Sequence, residues 1–200
     1  MDQKIDAKAL KRWEKSQISY KNYQDYIARK SDHFHLRLID LLYISNFKGG
    51  NSTINEEEDI TNQKLGAYSE KLRIINGLFQ NRKLADLNEF EIDTLIKVVE
   101  DICALTYKDS NNKIDGFSVS YLSALLSAYF MDLVPILDRR VLINMNLVSR
   151  EDLNSQKQVK NIERFFDPLI KKVHELSKEK GYSIRAIDKD FFKVKLPNWI

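Results

Sequence analysis

Apolar residues recur at steps of three and four along most of this chain, and that spacing predicts helices. Leu65, Tyr68, Leu72, Ile75 and Phe79 make one continuous stripe, the mark of an amphipathic helix over 65–79. Glu89 to about Leu105 repeats the pattern through Phe90, Ile92, Leu95, Ile96, Val99 and Ile102. Asn88 stands there as N-cap, and acidic residues crowd the first turn, where the helix dipole favours them. The most apolar stretch is Phe117 to Met131. Phe117, Tyr121, Leu122, Leu125, Leu126 and Tyr129 form a broad face, and Ser120, Ala124 and Ser127 a second face of small residues. A helix large on one side and small on the other packs on two sides, so this one is expected to be central and nearly inaccessible to water.

The remaining segments are less regular. Lys8 to Arg29 reads as a helix with ragged spacing, and His33 to Phe47 as a denser one that stops at Lys48-Gly49-Gly50-Asn51. Asn51 to Asn62 is polar and acidic, a loop or a frayed helix start. Leu84 to Asn88 is a connection, and Lys108 to Gly116 is turn-rich. Pro135 is expected to end the central helix, because the residue before proline avoids helical dihedrals. Asp138 then occupies the N-cap position of a helix Arg139–Leu147. Val159 to Leu176 is helical, and Pro168 either kinks it or opens a new helix with Asp167 as N-cap. Gly181 ends that region, and Ser183 caps a last short helix through Phe191. No segment reads as a strand. The pattern predicts an all-α protein of about eight helices.

Composition supports this. Six Gly and three Pro in 200 residues leave few breakers, and 43% hydrophobic with 30% charged residues describes one globular domain. The single cysteine, Cys103, excludes an intramolecular disulfide, a four-cysteine zinc site and an iron–sulfur cluster. It lies on the apolar side of its helix with no histidine near it in sequence, as a buried structural thiol does. His33 and His35 do not share a helical face, and His174 is the only other histidine, so neither a metal nor a cofactor is expected. The first thirty residues lack an apolar signal core, and no stretch is long enough to span a bilayer. A cytoplasmic location and no membrane partner are expected.

The net charge of +3 is less informative than its distribution. Residues 1–30 carry eight basic and four acidic groups, and residues 151–200 carry eleven and eight. Two basic ends meeting on one face is one reading, and solvated helix surfaces are the other. There is no Walker loop and no GxGxxG fingerprint. The loop Asn46-Phe47-Lys48-Gly49-Gly50-Asn51-Ser52 offers backbone N–H groups and an amine to an anion. Its plainer reading is a helix C-cap.

One segment carries a resemblance. It runs from Asp115-Gly116-Phe117-Ser118-Val119-Ser120-Tyr121 through Pro135-Ile136-Leu137-Asp138-Arg139-Arg140-Val141. A glycine-containing hairpin, a buried helix, a short turn and an aspartate opening the next helix resemble the helix-hairpin-helix DNA glycosylase superfamily. The chain is most similar to its bacterial 8-oxoguanine-DNA-glycosylase-like group, whose small members end in a helix resembling Ser183-Ile184-Arg185-Ala186-Ile187-Asp188-Lys189. The resemblance implies a two-lobed helical domain over 1–200. Its glycosylase-like core lies at about 40–150, completed by the basic N-terminal helix 8–29 and C-terminal helices 156–195. It implies DNA as partner and Asp138 as the catalytic carboxylate, which stabilises a cationic sugar or activates water while a pocket holds a flipped base. Lys48, Lys113, Gly116, Ser118, Arg139 and Arg140 are the implied DNA contacts, and Asn46, Asn51, Ser120 and Tyr121 the implied pocket. Ser120 stands where lysine-bearing members carry their Schiff-base lysine, which points to base excision without lyase chemistry. The alternatives are a catalytically inert relative that binds DNA or a protein partner, with Tyr121, Tyr129 or Phe47 filling the cleft, and a protein of another class that uses the Gly-Gly loop as a contact surface.

Overall fold

The computed structural model describes residues 4–50 and 53–200. Among them it is all-helical, with eight α-helices joined by short 3-10 turns and only two isolated β-bridges. The helices are α1 (Ala7–Ala28), α2 (Leu38–Phe47), α3 (Glu58–Phe79), α4 (Glu89–Cys103), α5 (Val119–Tyr129), α6 (Arg139–Asn144), α7 (Phe166–Lys180) and α8 (Ile184–Phe192). Their buried side chains form one continuous core from Tyr20 to Ile187. No helix among the described residues is long and apolar enough to cross a membrane.

Side-chain caps decide several of the boundaries. The Asp6 carboxylate accepts the amides of Lys8 and Ala9 and opens α1. Asn88 and Glu91 exchange side-chain and backbone bonds and open α4. Ser183 accepts the Ala186 amide at the start of α8. Gly181, with φ of 64°, ends α7 in the left-handed conformation that glycine adopts without strain.

Local polar groups override apolar spacing at four places. The helix expected from His33 starts only at Leu38, because Asp32 accepts the Phe34 amide and bends the chain. The central helix starts at Val119, after a turn in which Gly116 has φ of 86°, and ends at Tyr129 rather than at Pro135. The Phe130 carbonyl takes the amides of Leu133 and Val134, which closes a turn well before the proline. The helix opened by Asp138 stops at Asn144, with Asn146 at φ of 58° as its left-handed exit. Asn161, at φ of 48°, breaks the stretch expected as one helix from Val159. Pro168 lies in the first turn of α7 behind the N-cap Phe165. Helix N–H groups there have no intrahelical acceptor, so proline costs no bond and makes no kink.

The central position of α5 holds. Eight of its eleven residues are buried, and Ser118 and Met131 at its flanks are exposed. α1 packs against α2, α5 and α8, and α8 also meets α6 and α7. A polar group links three of these helices from inside. The fully buried Asp40 of α2 accepts from Tyr23 of α1, from Lys30 just beyond α1, and from Tyr129 of α5.

Candidate functional site

Asp138 sits at the end of a buried segment, Val134–Leu137, that leads from α5 to α6. The small-residue face of α5 holds that segment. The Ser120 hydroxyl donates to the Leu137 carbonyl at 3.2 Å, and the Ser123 hydroxyl accepts the Leu137 amide at 3.0 Å. Both groups of the residue preceding Asp138 are thereby pinned to one helix. Asp138 itself uses Oδ1 to accept the Arg140 amide at 2.8 Å, the N-cap bond of α6. Its Oδ2 lies 3.8 Å from Lys48 Nζ.

Lys48 reaches that place because α2 ends there. Gly49 and Gly50 have φ of 96° and 71°, and their amides return to the carbonyls of Asn46 and Ser45. The Gly-Gly pair is therefore a helix C-cap, and the cap turns the lysine inward.

Asp138 and Lys48 line a cavity of about 490 Å³. Arg12, Trp13, Lys15, Ser16 and Ser19 of α1 form one wall, and Asn46, Phe47, Lys48 and Gly49 at the end of α2 form another. Ile136 and Asp138 contribute from the loop, and Arg185, Asp188 and Phe192 from α8. The Asn46 amide donates to Ser19 at 3.0 Å and ties two walls together. Of the three rings expected to fill the cleft in an inert relative, Phe47 lines it and Tyr121 and Tyr129 do not.

A second polar group lines this cavity together with Asp138. Arg185 lies over the rings of Tyr20 at 4.6 Å and Trp13 at 5.2 Å, and donates through Nη1 to Asp188. Its Nε and Nη2 are buried without an acceptor among the described residues. Asp188 Oδ2 also accepts from Trp13 Nε1 at 3.4 Å. Burial pushes the Asp188 pKa up, Arg185 partly opposes this, and the Asp138 charge adds to the rise. The cavity thus holds two carboxylates in different settings: Asp138 beside an amine, and Asp188 desolvated among rings.

The other expected site residues divide. Asn46 and Lys48 line the cavity with Asp138. Asn51 lies outside the described residues. Ser120 and Tyr121 do not line the cavity, and Ser120 instead holds the backbone before Asp138. Arg140 does not border it either. Its guanidinium is buried and donates to Asp6 and to the carbonyls of Phe192 and Val194, so it has no reach to a phosphate. Arg139 donates to the Lys157 carbonyl beside the cavity loop. Lys113, Gly116 and Ser118 lie on the turn before α5 and do not border the cavity; Lys113 Nζ is 3.4 Å from Asp115.

The sequence reading passed over Arg12, Trp13, Lys15 and Asp188 as site residues. The available signals were a tryptophan on a basic helix and an Arg–Asp pair three apart, Arg185 and Asp188. No group of three or more histidine, cysteine, aspartate or glutamate residues stands close enough to hold a metal ion among the described residues. No family model matches this chain, and neither does any curated protein or solved structure.

Proposed function

We propose that this protein binds DNA, takes one nucleobase into the cavity in front of Asp138, and releases it by hydrolysis. The observation that carries this reading is the Asp138 carboxylate, its Oδ2 beside the Lys48 amine, on the wall of an open space of about 490 Å³ lined in part by Trp13, Phe47 and Phe192. Small-molecule sites span about 300–1,000 Å³ and combine apolar walls with a few placed polar groups. In the reaction, the bond from C1′ to the base nitrogen breaks and its electron pair leaves with the base. A cationic sugar results, and the Asp138 carboxylate stands opposite its charge. Water adds through oxygen at C1′, and its proton passes to the carboxylate. Lys48 balances the charge of Asp138 and positions it. Ser120 carries no amine and its hydroxyl is spent on Leu137, so no imine forms at that position.

Asp138→Asn separates chemistry from capping. Asn is as good an N-cap as Asp, so stability in urea should change by less than about 0.5 kcal/mol. Base release from DNA containing damaged or mismatched bases should fall about a hundredfold or more, as when an electrostatic stabiliser is removed. Borohydride should trap no protein–DNA adduct. Unchanged release in the variant would leave Asp138 only its cap. A trapped adduct lost in Lys48→Gln would make Lys48 a nucleophile and overturn the hydrolytic route.

A further inference from the structure

The outer face of α1 carries a row of cations that neither the fold nor the cavity chemistry uses. Lys8, Lys11, Arg12 and Lys15 are all exposed. At 100° per residue they fall within about a third of the helix circumference, because positions three, four and seven apart share a face. Of the acidic residues within this helix, Glu14 lies at the edge of the row, three residues after Lys11, and Asp25 lies ten residues beyond Lys15. Among the described residues none of the four cations forms an ion pair or donates a side-chain hydrogen bond. Other surface lysines, such as Lys97, Lys108 and Lys178, are unpaired as well, so what sets the row apart is four cations on one face of one helix.

The row also has a definite place. Arg12 and Lys15 form part of the cavity wall, so the stripe runs along the mouth of the space that holds Asp138 and Asp188. The rim is cationic, while inside Asp138 is offset by Lys48 and Asp188 by Arg185. A rim of that sign attracts phosphates. The turn before α5 offers much less: Lys113 faces Asp115, and the Lys113 carbonyl is taken by Lys64.

We infer that the α1 stripe Lys8-Arg12-Lys15, with Lys11 beside it, is the main DNA-binding surface and holds the phosphodiester backbone of the strand whose base enters the cavity. This rests on the reading of the cavity as a base pocket and adds where the strand lies. Seven residues of helix span about 10 Å at 1.5 Å per residue. At a rise of about 3.4 Å per nucleotide that is about three steps, a span that runs across about four phosphates. The three cations therefore match a short run of consecutive phosphates and leave the sequence of the bases unread.

The test is binding of a fluorescent DNA oligonucleotide, single-stranded and duplex, followed by anisotropy across a salt series. All proteins carry Asp138→Asn so that excision does not intrude. The stripe variant is Lys8→Gln, Arg12→Gln, Lys15→Gln, and glutamine keeps helix propensity. A control variant makes the same change at Lys97, Lys108 and Lys178, exposed lysines on α4, the turn after it and α7, none of which lines the cavity. Each lost phosphate contact removes about 0.9 from the log–log salt slope on duplex and about 0.7 on single strands. The stripe variant should lose about 2.7 and about 2.1 respectively, with the control near the parent. If the parent binds DNA and the stripe variant keeps its slope, the strand lies elsewhere and this inference alone fails. Equal losses in both variants would reduce the effect to net charge and overturn it as well. If the parent binds no DNA at low salt, the base-pocket reading falls with it.

Discussion

Arg185 is held by rings and one carboxylate, and two of its nitrogens find no acceptor. A buried guanidinium so poorly matched costs stability, because unpaired buried donors are expensive. What this arrangement sets up is the state of Asp188. Desolvation favours its neutral form, so it holds a proton to higher pH than an ordinary aspartate does. The sign for stability follows. With its folded pKa raised, Asp188 contributes stability in full below its unfolded pKa, and that contribution is lost as pH rises through the folded value. Trp13 reports this directly, because its indole N–H bonds the same carboxylate. In a Trp199→Phe background Trp13 is the sole tryptophan. Its fluorescence, followed from about pH 3 to 8, should titrate with a midpoint above the ordinary aspartate range, and Asp188→Asn should abolish the step. A midpoint at or below that range would show that Arg185 outweighs burial.

At the scale of elements, α5 both fills the core and places the site. Leu125 is fully buried, so Leu125→Ala should cost about 2–5 kcal/mol in urea denaturation. Ser123→Ala probes the other role. It orphans the buried Leu137 amide, at a cost of about 1–3 kcal/mol, and frees the chain just before Asp138. Base release should then fall more than stability loss explains, measured well below the melting temperature. Release equal to the parent's would mean that the Ser123 bond does not position Asp138. The two-sided packing of α5 was legible because large and small residues alternate at helical period, and Asp138 as a cap was legible from its neighbours. The ends were not. Asp32, Phe130, Asn146 and Asn161 stop or delay helices through turns that apolar spacing does not encode. The far wall of the cavity was hidden for another reason. Trp13 and Asp188 are 175 residues apart, and only the packing of α8 on α1 brings them together. Arg140 misled because a charged residue after a cap reads as surface, whereas here it is drawn inward by carbonyls from the other end of the chain.

Those carbonyls close the molecule. The Asp6 amide donates to the Lys193 carbonyl at 2.7 Å, and the Lys195 amide donates to the Lys4 carbonyl at 2.8 Å, which joins the beginning of α1 to the end of α8. Arg140 of α6 binds Asp6 on one side and Phe192 and Val194 on the other, and Asn144 reaches Phe191 and Val194. Since α1 and α8 both line the cavity and pack on each other, this clasp holds two of its walls together. Arg140→Met removes a largely buried ion pair and leaves Asp6 and two carbonyls without that partner, an expected loss of about 3 kcal/mol or more. The loss should shrink in acid. The Asp6 pKa is depressed, first by the Ala9 amide and also by Arg140, so its contribution is present above its unfolded pKa and is lost as pH falls through the folded one. Deleting residues 193–200 cuts the same clasp from the other side. Both changes remove one set of contacts, so the double variant should cost clearly less than the sum of the two in urea at neutral pH. It should also weaken DNA binding with no stripe residue touched. Strictly additive losses would mean that Arg140 and the final segment act separately, and that the two ends of the chain do not hold the cavity walls as one unit.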